Sequence, residues 1–476
     1  MTSPELLFAS GTRVFINLKA PDNSTSLGSQ LVTSLLLLQF GSIRFCPSKG
    51  WQDIATLAFL STNANPPAKR NYDSNGNHND ESHVKIRKTE TEAQQHSVDL
   101  DDEDNEELEQ QKVDASTFVH YGKSLEKRYR ANQEARTKFS DQPEKFMESE
   151  LELQETLEEM QILASEPTYY SVLARNTSAP TILLSLLSHE NTDMSLTAID
   201  LLNALLDSTG LIEAGEEAVA PLLKALLDGQ LINLLCQNLC RLDENNSDES
   251  EGIFKTIGIV ENLIDARQSY IELVYEQGFF SWLLKILKDR KFTKNKLYAS
   301  EVLDSILMGD PNMAMRLGEM EGIDFLLQKL SVYKRHDPTT YDEAEMLQNL
   351  FNCLCTCLML PENKERFLVG EGIQLMNLML RERHLSRDTA LRILDYCMCL
   401  NLDEKSSLEY AQQVVINNCV KFVEILGLRT IFPLFMHCPK AKMLKFTSKG
   451  GAGESKTNDK SAIGPSSEQM EEHIIK

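Results

Sequence analysis

The sequence predicts an all-α chain wound as a right-handed α-solenoid, a stack of helical units in place of one closed core. Three observations carry this. At 476 residues the chain exceeds the size at which a single hydrophobic core keeps growing, which leaves several domains or a repeat array. From Ser178 to Met436 it consists of Leu-rich segments of about ten to fifteen residues divided by short polar or Gly-containing breaks, with no strand alternation. These segments also repeat. A Gly followed within about six residues by a doubled apolar pair recurs from Gly229, Gly278, Gly322, Gly372 and Gly427, with Ala179 opening an earlier, Gly-free copy.

The steps between those glycines are 49, 44, 50 and 55 residues. They lie near the roughly 40 to 47 of armadillo and HEAT units, with loop insertions supplying the excess. A second amphipathic pattern follows each Gly-led helix: Ile199–Leu206, Ile257–Ile264, Ala299–Leu307, Leu347–Leu354 and Leu391–Cys397. No unit of this size can bury its own apolar face, so neighbours must stack. The Gly-led helices are read as the groove side and the others as their convex backing.

Taken in order, residues 1–112 read as a mostly disordered, charged leader, because their polar Asn/Asp/His-rich stretch buries too little apolar area to offset chain entropy. Lys69-Arg70 and Lys85-Ile-Arg87-Lys88 form a loose bipartite nuclear-localisation pattern, and chance basic doublets in a polar linker explain it almost as well. The acidic block Asp101–Glu107 follows. Residues 113–177 predict capping helices: Phe118, Tyr121, Leu125 and Tyr129 share one face, Pro143 breaks the chain, and Phe146 to Met160 restart it before Pro167. Residues 178–436 are the repeats. Residues 437–476, rich in Gly, Ser and Lys, read as a disordered tail with no cap, and an open solenoid end predicts either a shortened product or a partner there.

A formal net charge of −23 repels nucleic-acid phosphates and anionic membrane surfaces, so no direct nucleic-acid or membrane partner is expected, and basic protein segments fit better. Ten cysteines without paired small-domain spacing indicate reduced thiols. The apolar run Leu31–Leu38 is too short to span a bilayer.

Cys353-Leu-Cys355-Thr-Cys357 invites a metal, but helix positions two apart point about 200° apart, so buried thiols are the expectation and no metal or cofactor is assigned. No phosphate cradle, nucleophile elbow or His-x-x-x-His helix is present in the sequence, so no catalytic residue is assigned. The candidate site is a peptide groove. Asn233, Trp282, Phe325 and Asn377 precede the apolar pair on successive Gly-led helices and are candidates for a ladder that grips an extended peptide; ordinary packing is the competing explanation. Carboxylates near the same helix starts, Glu319, Glu321, Asp324 and Glu371, with Glu276, would draw basic cargo.

Lys145-Phe-Met-Glu-Ser-Glu-Leu-Glu152, Asn295-Lys-Leu-Tyr298, Ser300-Glu-Val-Leu303, the run Arg366–Arg381 and Gly427–Met436 closely resemble the beta-catenin-like protein 1 family, collinearly from about residue 113 to 436. Residues 1 to about 60 and 401 to about 418 have no counterpart there that can be placed. The resemblance implies an armadillo solenoid in the nucleus that acts in pre-mRNA splicing as a scaffold of the complex built around the nineteenth pre-mRNA-processing factor. It also implies partners that offer basic, nuclear-localisation-type segments of splicing proteins. The alternatives are an import adaptor, which wants a denser Trp/Asn ladder than Trp51 and Trp282 provide, and a beta-catenin-like signalling adaptor, which wants acidic cargo. Self-association is left open.

Overall fold

The computed structural model describes residues 6–7, 13–14, 113–289, 291–382, 385–401, 407–436 and 467–476. Leu6–Leu7 and Arg13–Val14 pair as a minimal antiparallel ladder, β1 and β2, in a leader read as structureless. All other regular structure among the described residues is helical. The amino-terminal helices are α1 (Ala115–Lys138), α2 (Met147–Glu159), α3 (Tyr170–Asn176) and α4 (Ala179–Leu186). Next come α5 (Thr192–Leu205), α6 (Ser208–Ala214), α7 (Glu216–Asp228) and α8 (Leu231–Leu239). Three-helix units follow: α9 (Ser247–Ala266), α10 (Tyr270–Glu276) and α11 (Phe279–Lys288); α12 (Lys294–Gly309), α13 (Pro311–Glu319) and α14 (Gly322–Ser331). The last two units are α15 (Tyr341–Cys357), α16 (Pro361–Val369) and α17 (Gly372–Arg381), then α18 (Ser386–Met398), α19 (Leu408–Glu424) and α20 (Gly427–Met436).

Each unit runs long helix, short helix, Gly-led helix. Four of the five long helices α5, α9, α12, α15 and α18 start where the sequence offers a side-chain cap, α18 being the exception. Asn191, Asn246, Thr293 and Thr340 each accept a hydrogen bond from a backbone N–H in the first turn of α5, α9, α12 and α15, satisfying a donor the helix itself leaves open. The corner between short and Gly-led helix is made by one residue in the left-handed region: Gln230, Gly278, Glu321, Glu371 and Leu426, with φ of 62°, 92°, 58°, 60° and 61°. The repeat markers in the sequence are therefore neighbours of the corner, and only Gly278 is the corner itself. Gly322, Gly372 and Gly427 serve a different need. A Cβ at each would overlap the side chain five residues earlier, Leu317, Phe367 or Phe422.

The units share one continuous core from Phe118 to Leu434, with Leu202, Leu235, Val260, Leu283, Leu303, Leu326, Phe351, Ile373 and Ile393 among its fully buried members. At the amino end α1 lies on α2, α3 and α4. Glu126 of α1 accepts hydrogen bonds from the Ser178 N–H (2.5 Å) and hydroxyl (2.6 Å), fixing α1 against the start of α4. Arg136 pairs with Glu150 and Glu190.

Two expectations need correction. From Leu408 the stretch 401 to about 418, read as an unplaceable insertion, is helical and opens α19. That helix occupies the short-helix place at nearly twice the usual length, which accounts for the 55-residue step. The carboxyl end also carries a cap: Ser467–Ile475 forms α21, which lies beside α18 where the next long helix would stand and also touches α20. Met470 is buried, and His473 Nδ1 is 2.7 Å from the buried Asp395 carboxylate of α18.

Candidate functional site

The long helices pack on one another along the array, α5 with α9, α9 with α12, α12 with α15 and α15 with α18, whereas successive Gly-led helices touch only over short stretches. The side of a stack that packs more closely is the inside of its curve. The long helices form the more continuously packed side of the stack, the side on which a groove is sought in place of the Gly-led helices.

The four ladder candidates do not form a ladder. Counted from the left-handed corner they stand at offsets 3, 4, 4 and 6, and each residue turns a helix by 100°, so only Trp282 and Phe325 leave the helix in a common direction. Phe325 and Asn377 are buried. Asn377 Nδ2 reaches the Ile425 carbonyl of the next unit at 3.4 Å. Trp282 is half-buried and stacks on Phe279 at 5.4 Å between ring centroids. The Asn233 N–H donates to Gln277 Oε1 (3.0 Å), another link between units.

The acidic candidates fare differently. Glu319, Glu321 and Asp324 come together in an open cleft of about 360 Å³, lined also by Gly318, Ile323 and the Arg366 guanidinium of the next unit. Glu371 lines the equivalent cleft one unit on, of about 420 Å³, with Gln374, Lys421 and Glu424. Both clefts sit at the corner between short and Gly-led helices, at the edge of the array.

A polar ladder does exist, on the long helices. Lys255 of α9 pairs with Asp200 of α5 at 2.8 Å. Tyr298 of α12 donates its hydroxyl to Glu261 of α9 at 2.6 Å and packs its ring against Phe254 at 4.6 Å. Burial, with Glu261 and then the Glu301 and Asp265 carboxylates nearby, drives the Tyr298 phenol well above its ordinary pKa. One unit further, Asn349 Nδ2 donates to Ser300 Oγ (3.1 Å) and Asn352 Nδ2 to Asp304 Oδ2 (3.4 Å), while Arg392 of α18 donates to Asn352 Oδ1 (2.6 Å). Burial pushes the Asp304 carboxyl up to about 6 despite Asn352 and Arg392, which favour its charged form. The signal was in the sequence: asparagines recur inside Leu-rich long helices, as in Leu347-Gln-Asn349-Leu-Phe-Asn352, where packing alone would put apolar residues.

Chemically, this face offers amides, a phenol and carboxylates, groups that hold an extended main chain or a cationic side chain. The cysteines of α15 and α18 lie beside these groups, Cys353 hydrogen-bonded with Asp304 and Cys355 with Arg392. Cys353, Cys355, Cys357 and Cys397 are buried and disulfide-free, and burial raises each thiol, which makes them poor nucleophiles and poor metal ligands. Among the described residues no group of three or more His, Cys, Asp or Glu is placed to hold a metal ion, and no single helix is long and apolar enough to cross a membrane. The basic residues Lys69, Arg70, Lys85, Arg87 and Lys88 lie outside the described residues.

Residues 95–475 match the family described as catenin-beta-like, Arm-motif containing, nuclear. The chain is 49% identical over 339 residues to beta-catenin-like protein 1 of Rattus norvegicus, covering 71% of this chain and 58% of that protein. It is 32% identical over 324 residues to the Schizosaccharomyces pombe homolog, covering 67% and 54%. It thus spans little more than half the length of these relatives. Among solved structures, computationally designed armadillo repeat proteins for modular peptide recognition align with a TM-score of 0.38 at 15% identity, over 65% of this chain and 99% of theirs. With an armadillo array on the page and four-fifths of the chain matched, the protein belongs to the catenin-beta-like family of Arm-motif-containing nuclear proteins.

Proposed function

We propose that this chain is a nuclear protein-binding scaffold whose long-helix face takes basic, nuclear-localisation-type segments of splicing proteins, within the assembly of the nineteenth pre-mRNA-processing factor. The observation that carries the reading is the gathering of Glu261, Asp265 and Glu301 about Tyr298, with Asn349 and Asn352 one unit further on. Carboxylates attract a lysine or arginine, and the two amides of α15 suit the main chain of an extended segment. The net charge of −23 steers basic partners to this surface and disfavours phosphate polyanions.

Affinity capture from nuclear extract on the immobilised full chain, eluted with a salt gradient, tests this. Splicing proteins with basic segments should elute as salt rises, because such contacts are screened over about 10 Å at 0.1 M. Recovery of nuclear-import carriers without splicing proteins would overturn the reading in favour of an import adaptor.

A further inference from the structure

Helix α1 is a basic element in a strongly acidic protein. It carries Lys123, Lys127, Arg128, Arg130, Arg136 and Lys138 against Glu126 and Glu134. Two of its cations are occupied with packing. Arg128 donates to the Glu152 carbonyl at 2.6 Å, and Arg136 pairs with Glu150 and Glu190. Glu126 is likewise committed to Ser178. What remains forms a line. Lys123, Lys127, Arg130, Glu134 and Lys138 are all exposed, and their spacings of four, three, four and four place them on one stripe, opposite the buried Phe118, Gly122, Leu125 and Asn132. Among the described residues none of these four cations makes an ion pair with another side chain. The stripe is about 22 Å long at 1.5 Å per residue, and Lys145 from the following turn extends its basic end, where it and Lys138 flank the Phe139 ring.

We infer that this outward face of α1 is a docking surface for an acidic helical segment of a partner protein. The sign pattern along the stripe is three cations, one anion, one cation. Its complement is a helix with carboxylates at i, i+4 and i+7, a cation at i+11 and a carboxylate at i+15, a pairing that sets both register and direction. A phosphate backbone fits less well. Glu134 would stand in its track, the Phe139 ring at the basic end is covered by two lysines, and the chain's net charge repels a polyanion at long range. The surface lies on the capping helix, apart from the long-helix face, and takes the opposite charge, so it does not depend on the reading above.

Fluorescence anisotropy on the full chain decides it, with three labelled probes: a helical peptide carrying the complementary pattern, the same composition with its charges scrambled, and a single-stranded RNA of equal charge. The matched peptide should bind more tightly than the other two and weaken as salt rises from 50 to 200 mM. K123E/K127E/R130E should reduce its affinity at least tenfold, and the milder K123Q/K127Q/R130Q should also reduce it with the melting temperature unchanged. Glu134→Lys should weaken the matched peptide while strengthening RNA. The inference fails if the matched peptide does not bind, if the triple variants leave its binding unchanged, or if RNA binds more tightly through the same residues. It also fails if binding appears only once Asp101–Glu107 is neutralised, which would make the chain's own acidic block the occupant.

Discussion

At the scale of single residues, the repeat was legible through glycine, but the reason for each glycine was not. A sequence shows that Gly recurs; it does not distinguish a left-handed backbone from a crowded one. Gly278 has φ 92° and open space where a Cβ would stand, whereas Gly322 follows the left-handed Glu321 and is pressed on Leu317. Adjacent substitutions therefore have opposite signs. Glu321→Gly relieves a left-handed non-glycine residue and should stabilise by up to about 1 kcal/mol. Gly322→Ala forces Leu317 aside and should destabilise by roughly 1–3 kcal/mol. Thermal melts of the two variants check this, and equal effects would contradict the assignment of the corner. The ladder candidates failed for a related reason. The doubled apolar pair slides by up to three residues relative to the corner, so the residue before it marks no fixed direction, and Phe325 and Asn377 turn into the core.

At the scale of elements, long periodic helices were read correctly because buried apolar residues repeat at helical spacing, as in α9 and α15. The short α21 was not. Ser-Glu-Gln-Met-Glu-Glu-His-Ile-Ile has a single apolar residue in its first two turns, and only its place beside α18 makes Met470 a core residue. Its role as a cap has a local consequence, since a stacked array transmits stability mainly between neighbours. Met470→Asp, which places a charge at a fully buried position, should release α21. Hydrogen exchange would then quicken in α21 and on the facing side of α18, with α5 to α12 still protected. Uniform loss of protection along the array would show that α21 is not a local cap.

At the scale of the whole molecule, fold class and unit length followed from periodicity, but which side of the array forms the groove did not. That choice depends on how closely successive helices pack, a property of the stack that no single helix sequence records. The continuously packed side falls to the long helices, where Asp200–Lys255, Tyr298–Glu261 and Asp304–Asn352–Arg392 link one unit to the next. The acidic residues named from sequence, Glu319, Glu321 and Asp324, do converge, at the edge of the array and not along its groove. The most direct test is the affinity of a labelled basic peptide of alternating lysine and arginine for two variants of the full chain, E261K/E301K on the long helices and W282A/D324K on the Gly-led helices. If the long helices form the binding face, the first variant loses at least tenfold in affinity and the second keeps that of the parent chain; the reverse order would contradict it.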